Sequence, residues 1–147
     1  LSRLPRIVTV AEGTLQGTHA SPLYWPTWRY LDTPEKAAPA FLFQRTRIGF
    51  IGHTHVPRLA THSRGTPVTM TRLKSGRIPA SGPKMLLNVG AVGQPRDGDP
   101  RASLAWLDTE TRELRLIRVP YDVAETQRRI RHAGLPESLA ARLDKGL

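Results

Sequence analysis

Short apolar runs separated by turn residues fill most of the first four fifths of the chain, and the longest helical spacing lies at its end. Ile7-Val8-Thr9-Val10, then Gly13 and Leu15, predicts one or two strands over residues 4–15 around a Glu12-Gly13 turn. Residues 22–39 read as a loop, rich in proline and carrying Trp25, Trp28 and Tyr30. Residues 35–44 have the spacing of a short helix with Pro34 in its first turn, although Pro39 opposes it. The run 48–51 reads as a buried strand ended by Gly52. Residues 68–73 alternate and are followed by Ser75-Gly76 and Gly82-Pro83, which predicts a hairpin excursion. Residues 85–87 form another buried strand ending at Asn88. Residues 103–107 and 113–119 flank Asp108-Thr109-Glu110-Thr111-Arg112 and predict a hairpin with Leu114 and Leu116 on one side. Asp122 and Glu125 have capping-box spacing for a helix reaching about Ala133, stopped by Gly134. Pro136 opens a last short helix with Leu139 and Leu143 on one face. There is no internal repeat.

Composition narrows the class. A chain of 147 residues can form one domain with a modest core. It has no cysteine, so disulfides and thiolate metal sites are excluded, in keeping with a cytoplasmic protein. No apolar run approaches membrane-span length, and no charged-then-apolar leader is present, so no membrane partner is expected. The net charge of +10 is unevenly placed. Residues 36–96 contain no Asp or Glu but ten Lys and Arg, and outside that window the charges cancel. Such a stretch would concentrate phosphate-bearing ligands. It lacks the aromatic-interleaved basic stripe of a nucleic-acid surface.

The candidate chemistry lies inside that window. After the strand 48–51 come Gly52, His53, Thr54, His55, Val56 and Pro57, so two histidines follow the carboxyl end of a strand, where α/β sheets collect ligands. Neutral imidazole is a common metal ligand, and Gly52 is expected to supply the tight turn that lets both rings converge. Gly-His-x-His alone also describes two ordinary loop histidines. Two further segments alter the weight: Thr18-His19-Ala20-Ser21-Pro22 upstream, and Asn88-Val89-Gly90-Ala91-Val92-Gly93-Gln94-Pro95-Arg96 downstream.

With these three segments in this order the chain resembles the calcineurin-like metallophosphoesterase superfamily, particularly its small prokaryotic phosphodiesterase branch, over nearly its whole length. The resemblance implies an α/β fold, a two-sheet sandwich flanked by helices with metals at the sheet edge, and hydrolysis of phosphodiesters or phosphomonoesters at a dinuclear centre. It implies that His19 and His53 bind one ion and His55 the other. Mn²⁺ is the ion it favours, and Fe, Zn, Ni or Mg also suit imidazole and carboxylate donors. The family's earlier Asp-x-His, Gly-Asp and Gly-Asn-His-Asp motifs are absent from this sequence. They resemble the source of the bridging aspartate, the remaining ligands and the proton donor, so no catalytic acid is expected here. Residues 1–147 are therefore expected to be the carboxyl-terminal part of a single metallophosphoesterase domain, the last ~25 residues a helical tail. The expected partners are a phosphate-ester substrate and the amino-terminal half of the same protein. A homo-oligomer is compatible with this reading.

Other residues carry weaker readings. Arg96 is a candidate phosphate clamp, or else a partner of Asp97 or Asp99. Asn88, Gly90 and Gly93 read as a tight turn beside the site, with or without substrate contact. Trp25, Trp28 and Tyr30 could stack a nucleobase, while packing is the plainer role. His62, in a Thr-His-Ser-Arg loop, and His132, near a helix end, match no ligand position. Two other functions compete: a scaffold or regulatory protein on the same fold with a degenerate metal site, and a basic nucleic-acid-binding module.

Overall fold

The computed structural model describes residue 3, residues 5–22 and residues 28–147, so Trp25 lies outside the described residues. In chain order the elements are β1 (Ile7–Val10), β2 (Leu15–Thr18), α1 (Pro34–Ala37), α2 (Ala40–Phe43), β3 (Ile48–Ile51), β4 (Arg58–His62), β5 (Thr69–Arg72), β6 (Gly76–Arg77), β7 (Lys84–Asn88), β8 (Ala102–Leu107), β9 (Glu113–Val119), α3 (Val123–His132) and α4 (Glu137–Ala141).

Two sheets result. The larger has the order β1-β2-β3-β7-β4-β5, and the smaller the order β6-β9-β8. Its centre is parallel: β3 lies between β2 and β7, while β1, β4 and β5 run antiparallel to their neighbours. Central strands alternate between two cores, as a period of two requires when both faces are covered. Ile51, Ala60 and Leu86 face one core, closed by Leu31, Ala37, Ala40 and Phe41 from the helical segment. Ile48, Met85 and Leu87 face the other, closed by Leu114 and half-buried Leu107 and Leu116 of the smaller sheet. The chain is thus an α/β two-sheet sandwich with helices on its flank.

Local chemistry explains most boundaries. Thr33 accepts the Lys36 amide at 3.3 Å and Pro34 opens α1. Pro39 has no amide hydrogen to continue a helical ladder, so the single helix expected over residues 35–44 is two one-turn helices. The expected 103–119 hairpin forms as β8 and β9, its turn held by Asp108 Oδ1, which accepts the amides of Glu110 and Thr111 at 2.9 and 2.8 Å. The capping box on α3 is only half made. Asp122 accepts the Glu125 amide at 2.8 Å, but the Glu125 carboxylate turns to Arg128 and Arg129.

One expectation is corrected. Residues 58–62 form β4, because β7 and β5 pair it on both sides. His62 is therefore a strand residue rather than a loop residue, with its ring 5.4 Å from that of Phe41.

The tail, α3 and α4, is tied together by the Arg131–Glu137 ion pair and by Gln127, which donates to the Ala140 carbonyl at 3.0 Å. It docks through buried Leu143 and through the Gly98 amide, which donates to the Gly146 carbonyl at 3.0 Å. None of the described helices is long and apolar enough to cross a membrane.

Candidate metal centre

His19 follows β2 and His53 follows β3, and these two strands are parallel neighbours. Both histidines therefore leave the sheet at the same, carboxyl end. The site lies at the end of central strands, not at the sheet edge. The Gly52 amide donates to the His19 carbonyl at 2.8 Å and joins the two loops. His53 Nδ1 then lies 3.3 Å from His19 Nε2. Two nitrogens bound to one ion at about 2.0–2.1 Å in a tetrahedral arrangement are about 3.3 Å apart. The same distance serves a hydrogen bond when one ring holds a proton between them.

Carbonyl oxygens fix the tautomers, since a carbonyl only accepts. His53 Nε2 is 3.2 Å from the Trp28 carbonyl and must donate to it, which leaves Nδ1 with its lone pair toward His19. His55 Nδ1 is 2.8 Å from the Gln94 carbonyl, which leaves Nε2 as the bare nitrogen. A carbonyl that accepts from one ring nitrogen orients a ligating histidine in this way. Burial lowers the pKa of His19 below the usual imidazole range, and the charge on His53 adds to this. Burial also lowers that of His55, with the Arg96 guanidinium contributing, against the opposing bond to Gln94. Both rings are held in the neutral form that binds metal.

The backbone of this loop departs from the expectation for Gly52. Positive φ falls on the histidines themselves, +66° at His53 and +62° at His55. A Cβ on Gly52 would meet the His19 carbonyl oxygen at 3.5 Å, an ordinary contact. Side-chain-bearing residues rarely adopt this region, and such outliers cluster at functional sites.

The downstream segment braces the loop. Asn88 is almost fully buried; its Nδ2 donates to the Gly52 carbonyl at 2.6 Å and to Thr54 Oγ1 at 2.8 Å, and its Oδ1 accepts the Gly90 amide at 3.0 Å. Gly90 makes the turn at φ +84°, and a Cβ there would meet Ser103 Cβ and Oγ at 2.8 Å. Gly93 has open space around it and no positive φ, so the tight turn rests on Asn88 and Gly90.

Arg96 pairs with neither aspartate. Asp97 is taken by Arg118, and Asp99 by Arg101 at 2.7 Å. Arg96 is held instead by Gln94 Oε1 at 2.6 and 3.1 Å and by Tyr30 Oη at 3.4 Å, both neutral acceptors. Tyr30 stacks on His53 with centroids 4.5 Å apart, and Trp28 sits 5.6 Å from the His19 ring. Nothing in the sequence around Trp28 or Gln94 marked their carbonyls as histidine partners. His62 is opposite Lys84 at the far end of β7 from Asn88, and His132 ends α3 on the surface. Among the described residues, no group of three or more His, Cys, Asp or Glu side chains is assembled that could hold a metal ion. The geometry thus joins His19 with His53 and ties His55 to the Gln94 carbonyl.

No family model matches the chain. It is similar to a crystal structure of a metallophosphoesterase from Sphaerobacter thermophilus, with 37% identity and a TM-score of 0.84, over 100% of this chain and 61% of that one. In sequence and in fold the chain is thus similar to a metallophosphoesterase. It is also 32% identical over 152 residues to the uncharacterized protein MJ0912 of Methanocaldococcus jannaschii, covering 99% of this chain and 58% of that protein. The hypothetical protein PH1004 from Pyrococcus horikoshii OT3 shares the fold, with a TM-score of 0.64 at 18% identity, over 96% of this chain and 50% of that one. The chain therefore spans about three fifths or less of the length of these relatives. The metallophosphoesterase fold accounts for the placement of the three sequence segments, which all meet at the carboxyl ends of β2, β3 and β7.

Proposed function

We propose that this chain carries the histidine half of a dinuclear metal centre that hydrolyses phosphoesters, with His19 and His53 on one ion and His55 on the other. The observation that carries this reading is the 3.3 Å approach of two imidazole nitrogens beside a third histidine whose Nε2 is left bare. The donor set fits a borderline divalent ion, with Mn²⁺ favoured and Fe, Zn, Ni or Mg as alternatives. Bound divalent ions supply Lewis acidity and lower the pKa of water. The chain's own residues hold those ions and bind the ester. Arg96, held by neutral acceptors next to His55, presents an uncompensated guanidinium to phosphate oxygens. The bridging carboxylate and proton donor belong to a companion segment of the same single domain, as the absent Asp-x-His, Gly-Asp and Gly-Asn-His-Asp motifs require. Exposed apolar side chains on β1 and on the outward face of β8 and β9 support such a covering segment. A cytoplasmic hydrolase is the corresponding setting.

One observation favours a second reading, a degenerate metallophosphoesterase scaffold: no third metal-binding side chain joins His19 and His53 among the described residues. Metal content and turnover of the full-length protein on a chromogenic phosphodiester separate the two. His55→Ala should remove one ion per molecule and lower kcat by at least about 100-fold, because hydrolysis between two ions needs both. His62→Ala and His132→Ala should change neither quantity. Full metal content and activity in the His55 variant would overturn the ligand assignment, and a wild-type protein with neither bound metal nor turnover would establish the scaffold instead.

A further inference from the structure

The loop that presents His53 and His55 is held by a side chain from another strand. Gly52 and Thr54 flank His53, and Asn88 reaches both of them at once: Nδ2 donates to the Gly52 carbonyl at 2.6 Å and to Thr54 Oγ1 at 2.8 Å. Asn88 is the register partner of Ile51 across the parallel β3–β7 pair, so its amide stands where β3 ends. Its Oδ1 accepts the Gly90 amide at 3.0 Å, which uses its remaining hydrogen-bonding group and fixes the plane of the amide. Thr54 is buried too, and its Oγ1 also accepts the Val56 amide at 3.3 Å, linking the bracket to the residue after His55.

His53 and His55 both sit at positive φ, and the relaxed conformation of either residue would swing its ring elsewhere. Contacts within the loop do not remove that alternative, because the Thr54 amide and the Gly52 carbonyl it meets at 2.8 Å move together. A bond from β7 does remove it. An apolar core residue at position 88 would serve packing equally well, so a buried amide with every polar group used is a device for orientation.

We propose that Asn88 and Thr54 are positioning residues for the histidine pair. Their hydrogen bond fixes the left-handed His53-Thr54-His55 turn, so that His53 Nδ1 meets His19 while His55 Nε2 addresses a different point. Neither residue touches an ion or substrate. The proposal deepens the metal-centre reading and rests on it.

The test uses the full-length protein with Thr54→Val, which keeps shape and loses the hydroxyl, Thr54→Ser, which restores it, and Asn88→Asp, which loses both donated hydrogens. Co²⁺ is the probe, titrated while its visible absorption reports coordination geometry, and thermal melting runs alongside. Thr54→Val should stay folded, bind Co²⁺ about 10–100-fold more weakly, as loss of outer-shell partners typically does, and show an altered band. Thr54→Ser should return close to wild type. Folded Thr54→Val and Asn88→Asp proteins with wild-type affinity and band shape would overturn the proposal. Imidazole ¹⁵N NMR without metal keeps it separate from the metal reading. If the wild-type protein takes up no Co²⁺, the metal reading fails, and the His53 and His55 tautomers still decide the positioning role. Their loss in Thr54→Val supports it and their persistence overturns it.

Discussion

Gly52 and Gly90 sit on opposite sides of the histidine loop, and alanine at each should have opposite consequences. At Gly52 the added Cβ meets the His19 carbonyl oxygen at 3.5 Å with no positive φ to defend, so stability should change by less than about 1 kcal/mol. At Gly90 the φ of +84° and the 2.8 Å approach to Ser103 act together, and the loss should be about 2–4 kcal/mol. Urea midpoints at unchanged slope measure both. An equal loss at the two positions would contradict the geometry. The two glycines also mark what was legible at this scale. The Gly-His-Thr-His-Val-Pro spacing disclosed the histidines, and Asn88 and Gly90 were visible as a turn. That the strain falls on the histidines was not, because it depends on a bond from Asn88, four strands later in the chain. The carbonyls of Trp28 and Gln94 were hidden for a related reason: every residue has a carbonyl, and only the tertiary fold aims one at a ring.

Among elements, the strands with a clean apolar signature were readable and those made by their neighbours were not. Ile48–Ile51 matches the expected strand end for end, and the hairpin and tail helices fall within a residue or two of expectation. Arg58–His62 alternates weakly and becomes a strand only because β7 offers a ladder on one side and β5 on the other. Arg96 and the aspartates after it show the same limit, since proximity in sequence suggested a pairing that Arg118, on β9, takes instead. The Arg118–Asp97 ion pair, half-buried between the β7–β8 connection and β9, invites a comparison with the exposed Lys36–Asp32 pair on α1. Arg118→Ala should cost about 1–3 kcal/mol, since it strands a charged acceptor. Lys36→Ala should cost under about 1 kcal/mol, within what exposed pairs contribute. Acid adds a second reading of the same connection. Arg101, through a side-chain bond, and then Arg118 hold the Asp99 carboxyl down to about 2, against 3.8 for an ordinary one. The folded state binds this proton less readily than the unfolded state. The stabilisation is therefore complete above pH 3.8 and is lost as pH falls toward 2. Arg101→Ala should flatten that part of the stability–pH curve in acid melts, and salt should flatten it in wild type.

For the whole molecule the decisive quantity is charge and ligand count at the site. Three neutral imidazoles bring no negative charge to offset two divalent cations, and the surrounding stretch of residues 36–96 is purely basic. A centre built from these residues alone repels what it must hold. Carboxylates are the remedy, and none joins the histidines in a group of three or more among the described residues. The 147-residue chain by itself should therefore bind Mn²⁺ weakly and turn over a chromogenic phosphodiester negligibly, even at millimolar Mn²⁺. A longer form of the protein that carries the Asp-x-His, Gly-Asp and Gly-Asn-His-Asp motifs should be active under the same conditions. The metal dependence should differ in kind as well as in size: the longer form saturates with two ions per molecule, the short one shows shallow, unsaturated binding. Equilibrium dialysis with metal analysis, run beside the kinetic assay, distinguishes the two. Comparable turnover per mole from the two forms would mean that the three histidines and Arg96 suffice. The division of the site between two segments would then be wrong.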